Sequence, residues 1–320
     1  MATVFGTLAR PAILAASRSD RLKQAAQSWP VTRKVVHRFV AGETVDDVVA
    51  AVAKLRGTGR LVSIDHLGED VTDTDAADAN VRAYLLLLDA LADTAAAGAG
   101  AVAEVEVSLK LSALGQALGR DGEKIAAENA HAICARARDV GAWVTIDAEG
   151  FAGTDSRLAI VRELRTDFDQ LGTVVQAYLH RSHADCRDLA DAGARVRLCK
   201  GAYDEPASVA YRDRDEVTAN YLRCLRVLMA GSGYPMVASH DPVVIDAVPA
   251  LLRETARGAA DFEYQMLYGI RADEQLRLAG EGHPVRVYVP FGEQWYGYFI
   301  RRLAERPANL MFFLRALARR

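Results

Sequence analysis

The chain has 320 residues, 51% hydrophobic and 25% charged, with a formal net charge of −3. That composition supports a large core and fits one large α/β domain or two small ones. It excludes a nucleic-acid footprint, because no Lys/Arg block is long enough to track a phosphate backbone, and it excludes a spanning helix, because no apolar run is long enough to cross a bilayer.

The start, from Met1 to Arg10, lacks the basic head and long apolar centre of a secretory signal, so a cytoplasmic protein is expected, with peripheral contact at the inner face of a membrane left open. Cys134, Cys186, Cys199 and Cys224 form no CxxC pair. Reduced thiols are therefore expected, and neither a disulfide frame nor a structural zinc.

Residues 1–58 read as a helical N-terminal arm. Pro11 and Pro30 punctuate it, and Thr44 caps an amphipathic run that ends at Gly57. Residues 59–320 then alternate short β-branched runs with longer Ala/Leu/Arg segments of helical period. The strand candidates are Leu61–Asp65, Glu104–Lys110, Trp143–Asp147, Thr173–Tyr178, Arg195–Lys200, Met236–Ser239, Phe262–Leu267 and Val285–Val289. The helical segments between them are Ala76–Ala97, Glu123–Val140, Ser156–Phe168, Ala184–Ala192, Val217–Met229, Val243–Arg257 and Asp273–Ala279, and Tyr296–Glu305 ends the series. Eight strands, each followed by a helix, is the arrangement of a (β/α)8 TIM-type barrel; an open doubly wound sheet is the competing architecture. No linker divides residues 59–320, which are expected to form one catalytic barrel domain.

In such a barrel the chemistry lies at the C-terminal strand ends. Those ends carry Asp65 and His66, Lys110, Asp147 and Glu149, Gln176 and Tyr178, Arg197 and Lys200, Ser239, His240 and Asp241, Gln265 and Leu267, and Tyr288. Burying so many polar groups without partners or a ligand is costly, so the set points to a site. Tyr84, Tyr221, Trp143 and Trp295 read instead as packing residues, and the acidic run Glu69–Asp75 as a solvated loop capping the next helix.

The nucleotide motifs are mostly missing. Gly98-Ala-Gly100-Ala-Val-Ala103 matches GxGxxA but precedes a strand, where a dinucleotide fingerprint must follow one. His180 and His183 form an HxxH that, with Asp65, His66, Asp147 and His240, would suit a metal-dependent hydrolase, although no metal is expected. Lys110 or Lys200 in a barrel mouth would suit a Schiff-base aldolase. A non-catalytic binding barrel has little use for charges at so many strand ends. Near the C-terminus, Tyr298, Arg301, Arg302 and Glu305 fall within one side of about two helical turns. Paired guanidiniums there suit bidentate capture of a carboxylate or phosphate.

Five of these stretches carry a resemblance. Arg197-Leu-Cys-Lys-Gly-Ala-Tyr203 resembles the RLxKGAY motif of proline dehydrogenases, and Tyr298-Phe-Ile-Arg-Arg-Leu-Ala-Glu305 resembles their YxxRRxxE helix. Val107-Ser-Leu-Lys-Leu-Ser112, Val175-Gln-Ala-Tyr178 and Ala238-Ser-His-Asp241 match in the same order. The chain is similar to the short monofunctional bacterial form. The resemblance implies a distorted barrel that binds FAD noncovalently and oxidises L-proline to Δ1-pyrroline-5-carboxylate, the first step of proline breakdown to glutamate, with a quinone-type acceptor taking the electrons. It implies that Arg301, Arg302 and Lys110 bind the substrate carboxylate, that Tyr288 and Tyr298 wall the ring, that Leu267 is an apolar contact and that Asp147 sits beside the substrate. Arg197 would lie near flavin N5, and Ala148, Gln176, Lys200, Gly201, Ala202, Ser239 and His240 would hold the cofactor. Two positions depart from the pattern: Ser239 stands where Thr is usual, and Asp204 where some members carry Trp.

Overall fold

The alternating periods of the sequence fold as they dictate. A computed structural model describes residues 36–68, 71–92 and 105–299. Helix α1 (Val45–Arg56) opens at Thr44, whose hydroxyl accepts from the Asp47 amide while the Asp47 carboxylate accepts from the Thr44 amide, a reciprocal cap. The barrel follows as β1 (Leu61–His66), α2 (Thr74–Leu91), β2 (Val105–Leu109), α3 (Gly122–Asp139), β3 (Trp143–Ile146), α4 (Thr154–Leu164), β4 (Gly172–Gln176) and α5 (Ser182–Asp191). It continues through β5 (Arg195–Cys199), α6 (Arg214–Ala230), β6 (Tyr234–Ala238), α7 (Pro242–Thr255), β7 (Glu263–Leu267), α8 (Ala272–Gly280) and β8 (Val285–Phe291). The strands pair in chain order, all parallel, and β8 closes on β1 from Leu61–Arg286 to His66–Phe291. That last ladder excludes the open doubly wound sheet.

Where boundaries depart from expectation, the reasons are local. Strand β6 begins at Tyr234, ahead of Met236, because Pro235 sits near the strand start, where its missing N–H is tolerated. Strand β8 runs past Val289 through Pro290, which aligns with Asp65. Helix α7 stops at Thr255 because Ala256 takes a left-handed φ of 53° and Arg257 turns away to donate to the carbonyls of Met229, Gly233 and Asp261. Arg197, expected at a strand end, lies in mid-strand, one layer below the mouth. Asp73 caps α2, as the acidic loop suggests. The GxGxxA stretch and the remainder of the expected Ala76–Ala97 helix lie outside the described residues, as does most of the N-terminal arm.

Outward-facing Val62, Ile64, Val105, Val107, Leu109, Val144, Ile146, Val287 and Val289 pack beneath the helices, with Leu87, Leu88 and Ile133 among the partners. A second cluster does the same for β4 to β7. Residues 36–43 lie along the barrel exit: the Ala41 amide donates to the Pro290 carbonyl, the Gly292 amide to the Gly42 carbonyl, and the Trp295 indole to Glu43. Val36, Phe39, Val40 and Leu67 bury Trp295, Tyr298 and Phe299. This segment therefore braces the start of the final helix, which begins at residues 295–299.

Candidate active site

Strand alternation puts one set of side chains under the helices and the other inside the barrel. Barrel interiors are usually filled by branched apolar residues. Here the interior is charged. Arg197 on β5 shows this most directly: its Nε donates to Gln265 on β7, Nη1 to Ser108 on β2 and to Asp147 after β3, and Nη2 to Ser63 on β1 and Glu106 on β2. Side chains from four other strand segments converge on one guanidinium. Below it, Arg195 meets Glu106 at 2.7 Å and lies 3.8 Å over the Trp143 ring, and Arg286 meets Glu263 at 2.7 Å with both side chains 0% exposed.

The electrostatics follow from this packing. Burial alone would raise the Glu106 carboxyl, but the Arg195, Arg197 and Arg286 guanidiniums outweigh it and hold the group well below the usual carboxylate range. Burial alone would lower Arg197, but Asp147 and Glu106 hold it above its ordinary value. At the layer above, Asp147 accepts from Arg197 at 2.5 Å and from the Tyr288 hydroxyl at 2.7 Å. Burial and the Asp147 charge push the Tyr288 phenol well up, so it stays a proton donor. Lys110 meets both oxygens of Asp65 at 2.6 Å.

The other expected residues take their places around this hub. Leu267 ends β7 beside Tyr288 on β8. Tyr298 is buried in the apolar cluster against which the partly buried Tyr288 packs. Gln176 ends β4 and donates to the Glu149 carbonyl. Lys200 donates to Thr218 and Asp241. The Ser239 hydroxyl accepts from the Asp241 amide, and His240 Nε2 accepts from the Leu267 amide, which leaves the ring proton on Nδ1. Ladder bonds from Ala177 to Cys199 and from Tyr178 to Lys200 carry the β4–β5 pairing past the strand ends and lift Lys200 and Gly201 to the mouth. Gly201 is required there: its φ is +104°, and a Cβ would stand 2.1 Å from the Tyr178 ring. Ala148 and Ala202 line the same rim, half-buried. Arg301, Arg302 and Glu305 lie outside the described residues.

Several rival assignments lose support. His180 is held at the surface by the Ala207 carbonyl and the edge of Tyr211, and no group of three or more His, Cys, Asp or Glu suited to a metal occurs among the described residues. The two-oxygen grip of Asp65 on the Lys110 ammonium opposes the neutral amine a Schiff base needs. The Cys199 thiol is pushed up to about 11 by burial, which makes it a poor nucleophile. A cavity of about 500 Å3 at the opposite end of the barrel is lined by Asp169, Ser232 and Arg257, whose guanidinium is taken up by backbone carbonyls.

The sequence reading missed Glu106, Ser63, Glu263 and Arg286, and left Asp65 off the site. The signal was present. Glu106-Val-Ser108-Leu-Lys110, Arg195-Val-Arg197-Leu, Glu263-Tyr-Gln265-Met and Arg286-Val-Tyr288-Val all alternate with period two. In a closed barrel covered by helices, the polar set of such a strand faces the interior.

The donor set at the mouth fits a flavin. Amide, ammonium, hydroxyl and imidazole groups stand at three adjacent strand ends, and a deeper guanidinium lies beneath them; these are hydrogen-bond donors of the kind an isoalloxazine edge and a pyrophosphate require. The comparisons with known proteins agree. The family profile described as proline dehydrogenase matches residues 48–315. Proline dehydrogenase 1 of Bacillus subtilis is 36% identical over 311 residues, covering 97% of this chain and 99% of its own. Proline dehydrogenase of Deinococcus radiodurans is 37% identical over 314 residues, covering 97% of this chain and 98% of its own. Among solved structures, proline utilization A from Bdellovibrio bacteriovorus, inactivated by N-propargylglycine, aligns with a TM-score of 0.79 at 25% identity, over 85% of this chain and 32% of that one. The fold and site define a barrel oxidoreductase of the flavoprotein class. The chain belongs to the proline dehydrogenase family.

Proposed function

We propose that this chain is an FAD-dependent proline dehydrogenase that converts L-proline to Δ1-pyrroline-5-carboxylate and passes the electrons to a quinone-type acceptor. One observation carries the reading: Arg197, Asp147 and Tyr288 form a continuous buried chain from the barrel interior to its mouth. When bound, FAD accepts the hydride that leaves the ring carbon next to nitrogen.

The protein's task is then orientation and charge placement. Lys110, Arg301 and Arg302 would anchor the carboxylate. For Lys110 this means sharing its ammonium between Asp65 and the substrate. Tyr288, Tyr298 and Leu267 would press the ring flat, with Asp147 fixing the Tyr288 hydroxyl. Arg197 would stand under flavin N5 and stabilise negative charge developing there. Gln176, Lys200, Ser239 and His240 would hold the cofactor by side chains, and Ala148, Gly201 and Ala202 by close backbone approach. Residues 59–320 would carry the catalytic barrel, braced at its exit by residues 36–43. None of the helices among the described residues is long and apolar enough to cross a membrane. A protein working inside the cell would meet a membrane quinone by peripheral contact.

The test is product and acceptor analysis. Purified yellow protein given L-proline and a soluble quinone should form a cyclic imine that an aromatic aminoaldehyde traps, with one quinone reduced per imine. Colourless protein without bound flavin, or turnover without imine, would refute the reading.

A further inference from the structure

Glu106 takes part in none of the roles above, yet it is fully buried between two arginines in the barrel interior. One oxygen, Oε1, accepts from Arg197 Nη2 at 2.6 Å and from Ser63 at 2.7 Å. The other, Oε2, accepts from Arg195 Nη2 at 2.7 Å. Arg195 is itself fixed by the Gln170 carbonyl and by the Trp143 ring. Ser63 also accepts from Arg197 Nη2 at 3.0 Å and shares a hydrogen bond with Ser108, which accepts from Arg197 Nη1. Glu106 is thus the strut that ties Arg197 to the anchored Arg195 and fixes the plane of its guanidinium.

We propose that Glu106 is the positioning residue for Arg197, setting the guanidinium that faces the flavin, with Ser63 as its auxiliary. The inference rests on the reading that Arg197 serves the flavin. Geometry gives the reason. Both carboxylate oxygens accept from arginine N–H groups, so an amide in that place turns an N–H toward one arginine and the pair cannot both be held. Aspartate keeps the charge but is one methylene too short to span both cations. A single charge in the interior does not explain the contacts; a two-sided span does.

The experiment measures sulfite affinity of the flavin-loaded protein, since sulfite adds to flavin N5 and the anionic adduct reports the cation beside it. Glu106→Gln should weaken sulfite binding by about tenfold and lower kcat more than it raises proline KM, because a charge-assisted bond is lost. Glu106→Asp should fail to restore either. In an Arg197→Met background, where sulfite is already weak, Glu106→Gln should shift the affinity less than about twofold, as two residues acting through one contact do in a double-mutant cycle. An equal shift in both backgrounds, or none in the wild type, would overturn the proposal. Arg197→Met leaving sulfite affinity unchanged would instead remove the reading on which it rests, and the inference with it. If the Gln variant does not fold, Ser63→Ala supplies the same cycle: weaker sulfite binding with Arg197 present and no change with Met there is expected, and any other pattern refutes the role.

Discussion

On the proposed reading, Tyr288 is the residue that decides specificity. Its hydroxyl is fixed by Asp147 and its ring packs on the cluster that buries Tyr298. If the proline ring lies against it as proposed, a phenol so held would leave no room for a substituent on that side of the ring. Replacing Tyr288 with Ser should lower kcat/KM for proline and narrow its preference over 4-hydroxyproline by about tenfold or more. An unchanged ratio of the two kcat/KM values would rule the contact out. The carboxylate clamp is a second residue-scale matter. Arg302→Met should raise proline KM at least about tenfold with flavin content unchanged, since a hydrogen bond to a charged group is worth about 1.5–3 kcal/mol. A near-wild-type KM would remove Arg302 from the clamp.

Among the elements, the strands matter most. Most carry two programs, clearest in β1, β2, β5, β7 and β8: Val, Ile, Leu and other apolar groups on one face for the helices, charged and hydroxyl groups on the other for the interior. The second program depends on pairing, because a buried charge without a partner costs several kcal/mol. Arg286 and Glu263, from neighbouring strands β8 and β7, are the most deeply buried of these pairs. Arg286→Met should destabilise the protein by about 3–5 kcal/mol in urea melts, leaving Glu263 buried and uncompensated. A loss below about 1 kcal/mol would show that the pair contributes little. The same level explains what could be read from residue order. Strand count, the Thr44 and Asp73 caps and the β5 strand that carries Arg197 are local patterns and were legible, whereas Arg301, Arg302 and Glu305 of the Tyr298 stretch lie outside the described residues. Arg197 and Glu106 meet across 91 positions, and Lys110 and Asp65 across 45, so their pairing depends on barrel closure, which no local period encodes. Arg197 was also placed too near the mouth, because a strand end was inferred from a run of residue types.

For the whole molecule, the charged interior makes stability depend on pH in a stated direction. Burial first, then the Lys110 charge, lowers His66 below its ordinary 6.5, so the unfolded chain binds that proton more readily and stability falls as pH drops through that value. Glu106 is held low by three arginines, so its contribution is complete above 4.5 and is lost as pH falls below it. Urea midpoints taken from about pH 8 to about pH 2 should therefore decline in two stages, one below 6.5 and one below 4.5. His66→Gln should abolish the earlier one, and a flat profile would contradict both assignments.

The central claim is that the barrel mouth captures a small amino acid by its acid group and holds the ring against a flavin. Anaerobic titration of the yellow protein with L-proline and with pyrrolidine, the same ring without the carboxylate, tests it most directly. Proline should bleach the visible flavin band, while pyrrolidine at equal concentration should leave it intact. Equal bleaching by both would contradict the account.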